Sequence, residues 1–218
     1  MPIKVMITGA TGMVGEGVLM ECLQNADVSH VLSISRKPYG ITHPKFAALI
    51  VPDFLKIGSF KEQLKGYDAC FYCAGISSVG MKEEQYTMIT YTTTLHFAKV
   101  LAEINPNMVF DFVSGSHTDS TEKGRVMWAR VKGRTENDLV KLPFKGQYNF
   151  RPGIMKPFKE QKNVKAIFRI ILPVFLFLFP KRSLTLSQVG RAMIRTVKDG
   201  YSKQVLEIED IKKLGEQQ

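Results

Sequence analysis

Three glycines spaced by three, Gly9, Gly12 and Gly15, stand near the start of the chain in the run Thr8-Gly9-Ala10-Thr11-Gly12-Met13-Val14-Gly15. That spacing suits the binding of a phosphorylated ligand. Gly9 permits a tight strand-to-helix turn that a side chain would obstruct. Gly12 lets backbone N–H groups approach a pyrophosphate at the positive end of a following helix. Gly15 lets that helix pack closely on the sheet. Thr8, Thr11, Met13 and Val14 share the expected phosphate turn with them. A dinucleotide fingerprint needs a strand directly before and a helix directly after. Ile3, Val5 and Ile7 alternate with Lys4 and Met6 as such a buried strand would.

A second constellation, Ser35-Arg36-Lys37, ends the apolar run Val31-Leu32-Ser33-Ile34-Ser35. It lies about 20 residues past the glycines, where a Rossmann unit meets the adenosine ribose. An acidic residue there would bind the 2′-hydroxyl of NAD. Guanidinium and ammonium groups suit the 2′-phosphate of NADP instead. NADP is the expected cofactor, and NAD is less favoured.

TGATGMVG resembles the TGxxGxxG signature of the short-chain dehydrogenase/reductase superfamily, in its extended and atypical branches. The resemblance implies catalysis by a Tyr-x-x-x-Lys helix and an upstream serine. The tyrosine exchanges a proton with the substrate oxygen, the lysine lowers its pKa and holds the ribose, and the serine orients the substrate. Here the helix reads Met127-Trp128-Ala129-Arg130-Val131-Lys132, so Lys132 aligns with the motif lysine and Trp128 takes the tyrosine position. An indole N–H donates a hydrogen bond but is no acid or base near neutral pH. Ser114 and Ser116 both match the serine, and His117 is the best substitute acid or base. By the same resemblance Asp53 caps the adenine amino group, and the small pair Ala74-Gly75 leaves room for the cofactor.

The continuation VKGRTENDL resembles the atypical branch that holds the Tat-interacting-protein-like and NmrA-like members. That branch contains reductases and also redox sensors that bind NADP without turning over a substrate. Two functions are therefore expected in competition. One is an NADP-dependent oxidoreductase or epimerase-like enzyme acting on a small-molecule substrate. The other, favoured by Trp128, is a non-catalytic dinucleotide sensor or partner-binding protein.

Strands are expected at Ile3–Ile7, Val31–Ser35, Phe46–Val51, Ala69–Cys73, Met108–Val113, Tyr148–Phe150 and Gln204–Ile208. Helices are expected from the glycine turn to about Asn25, at Ser59–Leu64 with Glu62 closing a capping box, at Lys82–Ile104, at Gly124–Lys141 and at Ser187–Lys198. This alternation predicts an α/β fold, a doubly wound parallel sheet of Rossmann type with helices on both faces.

The 218 residues suit one α/β domain, with 154–218 as a small C-terminal elaboration on the substrate side. Cys22, Cys70 and Cys73 form no disulfide framework. Cys70 and Cys73 sit at an odd offset in a strand, which sends their side chains to opposite faces and makes them core residues, not a metal or redox pair. No metal site is expected. The absence of a secretory signal and the free thiols lead to the expectation of a cytoplasmic protein. The net charge of +10 is uneven, because residues 122–203 alone carry 19 basic and 5 acidic side chains. No specific nucleic-acid partner is expected, since no aromatic-rich basic motif accompanies this charge. The apolar run 170–179, flanked by Lys162, Lys165, Arg169, Lys181 and Arg182, is too short to span a bilayer. It is expected to be a buried helix or a dimer contact, with membrane-surface contact the weaker alternative. The chain is expected to be a monomer or homodimer.

Overall fold

β-Branched and aromatic runs form the strands, and the glycine turn sets the first strand-to-helix reversal. In the computed structural model, which describes residues 1–164, 172, 176, 178, 179 and 182–216, β1 (Ile3–Thr8) leads through the turn into α1 (Met13–Gln24). There follow β2 (Val28–Ser35), β3 (Phe46–Ile50), a 3₁₀ segment (Phe54–Leu64) and β4 (Ala69–Tyr72). The helical run after β4 consists of α2 (Glu83–Thr87), a π-helical turn (Met88–Thr92) and α3 (Thr93–Ile104). β5 (Val109–Val113), α4 (Met127–Leu139), β6 (Gly146–Phe150), β7 (Ile154–Lys156), β8 (Ser183–Thr185), α5 (Leu186–Lys198), β9 (Val205–Leu206) and α6 (Ile208–Glu216) complete the described residues.

Seven strands form a parallel sheet in the order β3-β2-β1-β4-β5-β6-β9. The sequence order reverses between β1 and β4, which opens a crevice at the carboxyl ends of those strands. One apolar cluster joins β1 to residues of α1, α5 and α6 on one face, including Val18, Val189 and Leu214. A second joins Met6 and Phe110 to Phe97 of α3 and Ile57 of the 3₁₀ segment on the other. The expected doubly wound parallel sheet is therefore the fold. Cys70 belongs to the second cluster, whereas Cys22 and Cys73 pack in the first, so the two CxxC thiols do face opposite sides. All three thiols are free, and burial pushes each well above the ordinary thiol range.

The structure corrects several expected boundaries. β2 begins at Val28, where it pairs with Ile3. No capping box forms at Ser59; the 3₁₀ segment starts earlier, where the Asp53 carboxylate accepts the Leu55 N–H at 3.0 Å. The long helix is interrupted at Met88–Thr92, within the run Met88-Ile89-Thr90-Tyr91-Thr92-Thr93-Thr94. Side chains of that run resist regular helix, and threonine hydroxyls compete for helical carbonyls. Thr93 Oγ1 donates to the Met88 carbonyl at 2.9 Å, five residues back. α4 occupies only Met127–Leu139 of the expected longer span. The two-stranded parallel sheet of β7 and β8 and the helix α6 were not expected at all. The apolar run 170–179 lies largely outside the described residues. Among the described residues no helix is long and apolar enough to cross a membrane.

Candidate functional site

At the crevice, Gly9 takes a left-handed φ of +76° and passes so close to the segment after β4 that a Cβ would meet the Ala74 nitrogen at 2.7 Å. A Cβ on Gly15 would sit 2.2 Å from the Gly9 carbonyl oxygen. Gly15 thus packs the helix onto its own turn, and not onto the sheet as expected. Gly12 differs from both, since a Cβ there would meet nothing nearer than 3.5 Å. Its bare backbone is exposed at the N-cap of α1, with no side-chain cap. Among the described residues no acceptor meets the N–H groups of Met13, Val14 and Gly15. These are the donors that a helix start leaves open to an anion. Thr11 is exposed beside them. Thr8 is wholly buried, and its Oγ1 accepts the Ala74 N–H at 3.1 Å, so it braces the turn against the Ala74-Gly75 segment. Gly75 itself is exposed with open space around it.

Arg36 and Lys37 stand exposed at the end of β2, with no ion pair among the described residues. Ser35 is buried, and its hydroxyl donates to the Lys37 carbonyl at 2.6 Å, which shapes the turn that presents the two cations. Asp53 is exposed and already engaged at the start of the 3₁₀ segment.

Trp128 and Lys132 lie one turn apart on α4, as the resemblance implies. The tryptophan ring faces the loop after β5, 4.0 Å from where a Cβ on Gly115 would be. Lys132 Nζ donates to the Ser114 carbonyl at 2.5 Å. Burial pushes this ammonium down to about 8, although the Glu136 carboxylate pulls the other way. The two candidate serines part company here. Ser114 is buried, and its hydroxyl is turned away into Glu136 at 2.5 Å and the Phe150 carbonyl at 3.2 Å. Its hydroxyl is therefore already engaged inside the protein. Ser116 is half-buried, its N–H held by the Pro152 carbonyl at 3.0 Å, and its hydroxyl has no partner among the described residues. His117 is exposed and held in the left-handed region at φ 69°.

Two supporting features escaped the sequence reading. Gly133 allows the loop after β5 to cross α4, because a Cβ there would lie 1.8 Å from the Asp119 carbonyl oxygen. That crossing brings the Ser114 carbonyl to Lys132. Behind it Arg151 and Glu136 form a buried bidentate pair, with Arg151 Nε 3.1 Å from Glu136 Oε1 and its Nη2 on Oε2. Such fork-to-fork pairing fixes both planes. Arg151 also reaches Ser120 Oγ at 2.5 Å and Glu207 at 3.2 Å. The available signal was Glu136 standing one turn beyond Lys132, together with Arg151-Pro152-Gly153 directly after β6.

Among curated proteins the chain is similar to protein FMP52, mitochondrial, of Debaryomyces hansenii, at 26% identity over 167 residues, covering 75% of this chain and 72% of the relative. Relatives of the same name occur in Emericella nidulans and Meyerozyma guilliermondii. These names overturn the cytoplasmic expectation, which rested on features that report a reducing compartment and not which one. Among solved structures, a short chain dehydrogenase family protein from Francisella tularensis superposes with a TM-score of 0.68 at 14% identity, covering 95% of this chain and 96% of its own. The Bordetella bronchiseptica enzyme WbmF, in complex with NAD+ and UDP, superposes with a TM-score of 0.65 at 16% identity, over 94% of this chain and 71% of its own. The sequence pattern of one family matches residues 5–134, the stretch from β1 through Lys132 that builds the crevice, and the chain belongs to that family, the NAD dependent epimerase/dehydratases of the short-chain dehydrogenase/reductase superfamily.

Proposed function

We propose that the chain binds NADP(H) at the phosphate turn and acts as an oxidoreductase or epimerase-like enzyme on a small molecule. The observation that carries this reading is Gly12, where the fold leaves room for a side chain and the chain has none, beside three helix N–H groups that meet no acceptor among the described residues. Arg36 and Lys37, exposed at the end of β2 and without an ion pair among the described residues, support NADP over NAD. When bound, the nicotinamide ring supplies the hydride. Lys132 holds a positive charge beside the Ser114 carbonyl, where it suits the ribose, and the Ser116 hydroxyl, which has no partner among the described residues, orients a substrate oxygen. His117 is the titratable group nearest in sequence to that serine and takes the role of acid or base. A second reading, a dinucleotide sensor without turnover, is favoured by one observation: the position of the usual tyrosine carries the Trp128 indole, which cannot transfer a proton.

Titration of intrinsic fluorescence with NADPH and NADH tests the cofactor reading. NADPH should bind at least about tenfold more tightly, the worth of one charge-assisted contact, and Arg36→Glu should abolish or reverse the preference. Equal affinities in the unmodified protein would overturn it. Turnover of a carbonyl panel separates the two functional readings, and activity that disappears in His117→Ala would support the first.

A further inference from the structure

Directly after the third glycine of the turn stands an acid, Glu16, in the first turn of α1 and only 1% exposed. A buried carboxylate next to an anion-binding turn repels the ligand that the turn is built for, unless its charge is fully engaged elsewhere. It is engaged. Oε1 accepts the Tyr39 hydroxyl at 2.8 Å and the Lys162 N–H at 2.9 Å. Oε2 accepts the Asn163 N–H at 2.7 Å and the Gln161 Nε2–H at 3.4 Å. Both oxygens are saturated, as an ionised carboxylate allows. Burial pushes this acid up, but the hydrogen bonds from Lys162, Asn163, Tyr39 and Gln161 together hold it below the ordinary glutamate range.

The donors come from two places far apart in sequence. Tyr39 closes the loop that begins with Arg36 and Lys37. The segment 158–163 follows β7 in the C-terminal part of the chain. Gln161, also 1% exposed, clamps this segment a second time: its Nε2 donates to the Met13 carbonyl at 2.8 Å, and its Oε1 accepts the Phe158 N–H at 2.9 Å. The segment therefore lies across the first turn of α1 and carries two exposed cations, Lys159 and Lys162, beside the phosphate turn.

We infer that Glu16 is a positioning residue that makes the seating of the segment 158–163 and of the dinucleotide a single event. The inference rests on the dinucleotide reading above. One carboxylate holds the helix that would bind the pyrophosphate, the loop that would bind the adenosine end, and the segment leading to the substrate side. Coupling of this kind is reciprocal: whatever factor the seated segment adds to cofactor affinity, the cofactor adds to seating of the segment.

Trypsin reads the segment directly, at the bonds after Lys159 and Lys162. In the unmodified protein, saturating NADPH should slow cleavage at both bonds severalfold. Glu16→Gln leaves one acceptor oxygen and turns an amide N–H toward backbone donors. It should speed cleavage without ligand by about tenfold or more, weaken NADPH binding by a similar factor, and remove the protection. A purely structural role would lower the unfolding temperature and leave the protection by NADPH intact. If Glu16→Gln does not fold, Gln161→Ala, which removes the segment's own clamp, should give the same paired changes. Unchanged cleavage, or faster cleavage with wild-type NADPH affinity, would overturn the coupling. A wild-type protein that binds no dinucleotide would overturn the reading beneath it, and the cleavage rates without ligand would still report whether Glu16 seats the segment.

Discussion

A methyl group on Gly15 would press into the Gly9 carbonyl, whereas one on Gly12 would meet the same oxygen only at an ordinary contact distance of 3.5 Å. The two residues, alike in sequence, therefore fail in different ways when replaced. Gly12→Val should give a folded protein with wild-type circular dichroism and no measurable dinucleotide binding. Gly15→Ala should lose stability by about 1–3 kcal/mol, the usual cost of overpacking, as seen in denaturant melts. A folded Gly12→Val variant with wild-type affinity would remove the turn from the site. At this scale the sequence was readable where backbone geometry decides the residue, because few other residues tolerate those contacts. It was not readable for Ser114 and Ser116. Both are serines two apart in one loop, and only the buried Glu136 draws one of them away from the crevice.

Helix α4 is the element on which the proposed catalysis turns. Its register was legible from Lys132 and from the run that follows it. Its start was not, because residues 122–126 are held outside the helix; Gly124, for one, donates its N–H to the Asp119 carboxylate at 2.6 Å. With Trp128 in the place of a phenol, Trp128→Tyr should raise NADPH-dependent carbonyl reduction, by up to about 10²–10⁴-fold if the rest of the pocket accepts the substrate. Lys132→Met should weaken cofactor binding in either background. Because burial holds this ammonium near 8, NADPH affinity in the unmodified protein should fall as pH rises through that value, and Lys132→Met should lack the dependence. Fast reduction by the unmodified protein, undiminished in His117→Ala, would refute the argument from the missing tyrosine. The π-helical turn at Met88–Thr92 was hidden for the opposite reason. Its apolar residues keep helical intervals, and periodicity does not distinguish one extra residue per turn.

Across the whole molecule, Asp111 ties the middle of the sheet to its outer helices. It is fully buried on β5, and burial raises its carboxyl well above the usual range, against the pull of its bond to Thr196 on α5. Thr196 Oγ1 lies 2.9 Å from Asp111 Oδ2 and 2.6 Å from the Met193 carbonyl. A hydroxyl has one proton, so when it donates to Met193 the acid's own proton completes the other contact. The folded state thus retains a proton that the unfolded chain gives up near pH 4. Global stability should fall as pH rises above that point, by up to about 1.4 kcal/mol per pH unit until the folded acid ionises. Asp111→Asn should remove this slope and be relatively more stable at pH 8 than at pH 4. A wild-type slope in the variant would exclude Asp111 as its source. The doubly wound parallel sheet was legible from the alternation of elements, but the partners of α1 were not, because no local pattern announces a contact between residues so far apart in sequence. They do meet. Val18 and Cys22 share one apolar cluster with Val189, Leu206, Ile211 and Leu214. Gly17 admits Leu186 so closely that a Cβ would lie 2.6 Å from it. On a ribosome adding about 5–20 residues per second, α1 is made about 160 residues before α5, so its apolar face waits roughly 8–32 s for the first helix that covers it. Through that wait the apolar face of α1 is the kind of exposed surface that makes a partly made chain prone to aggregate and a target for chaperones.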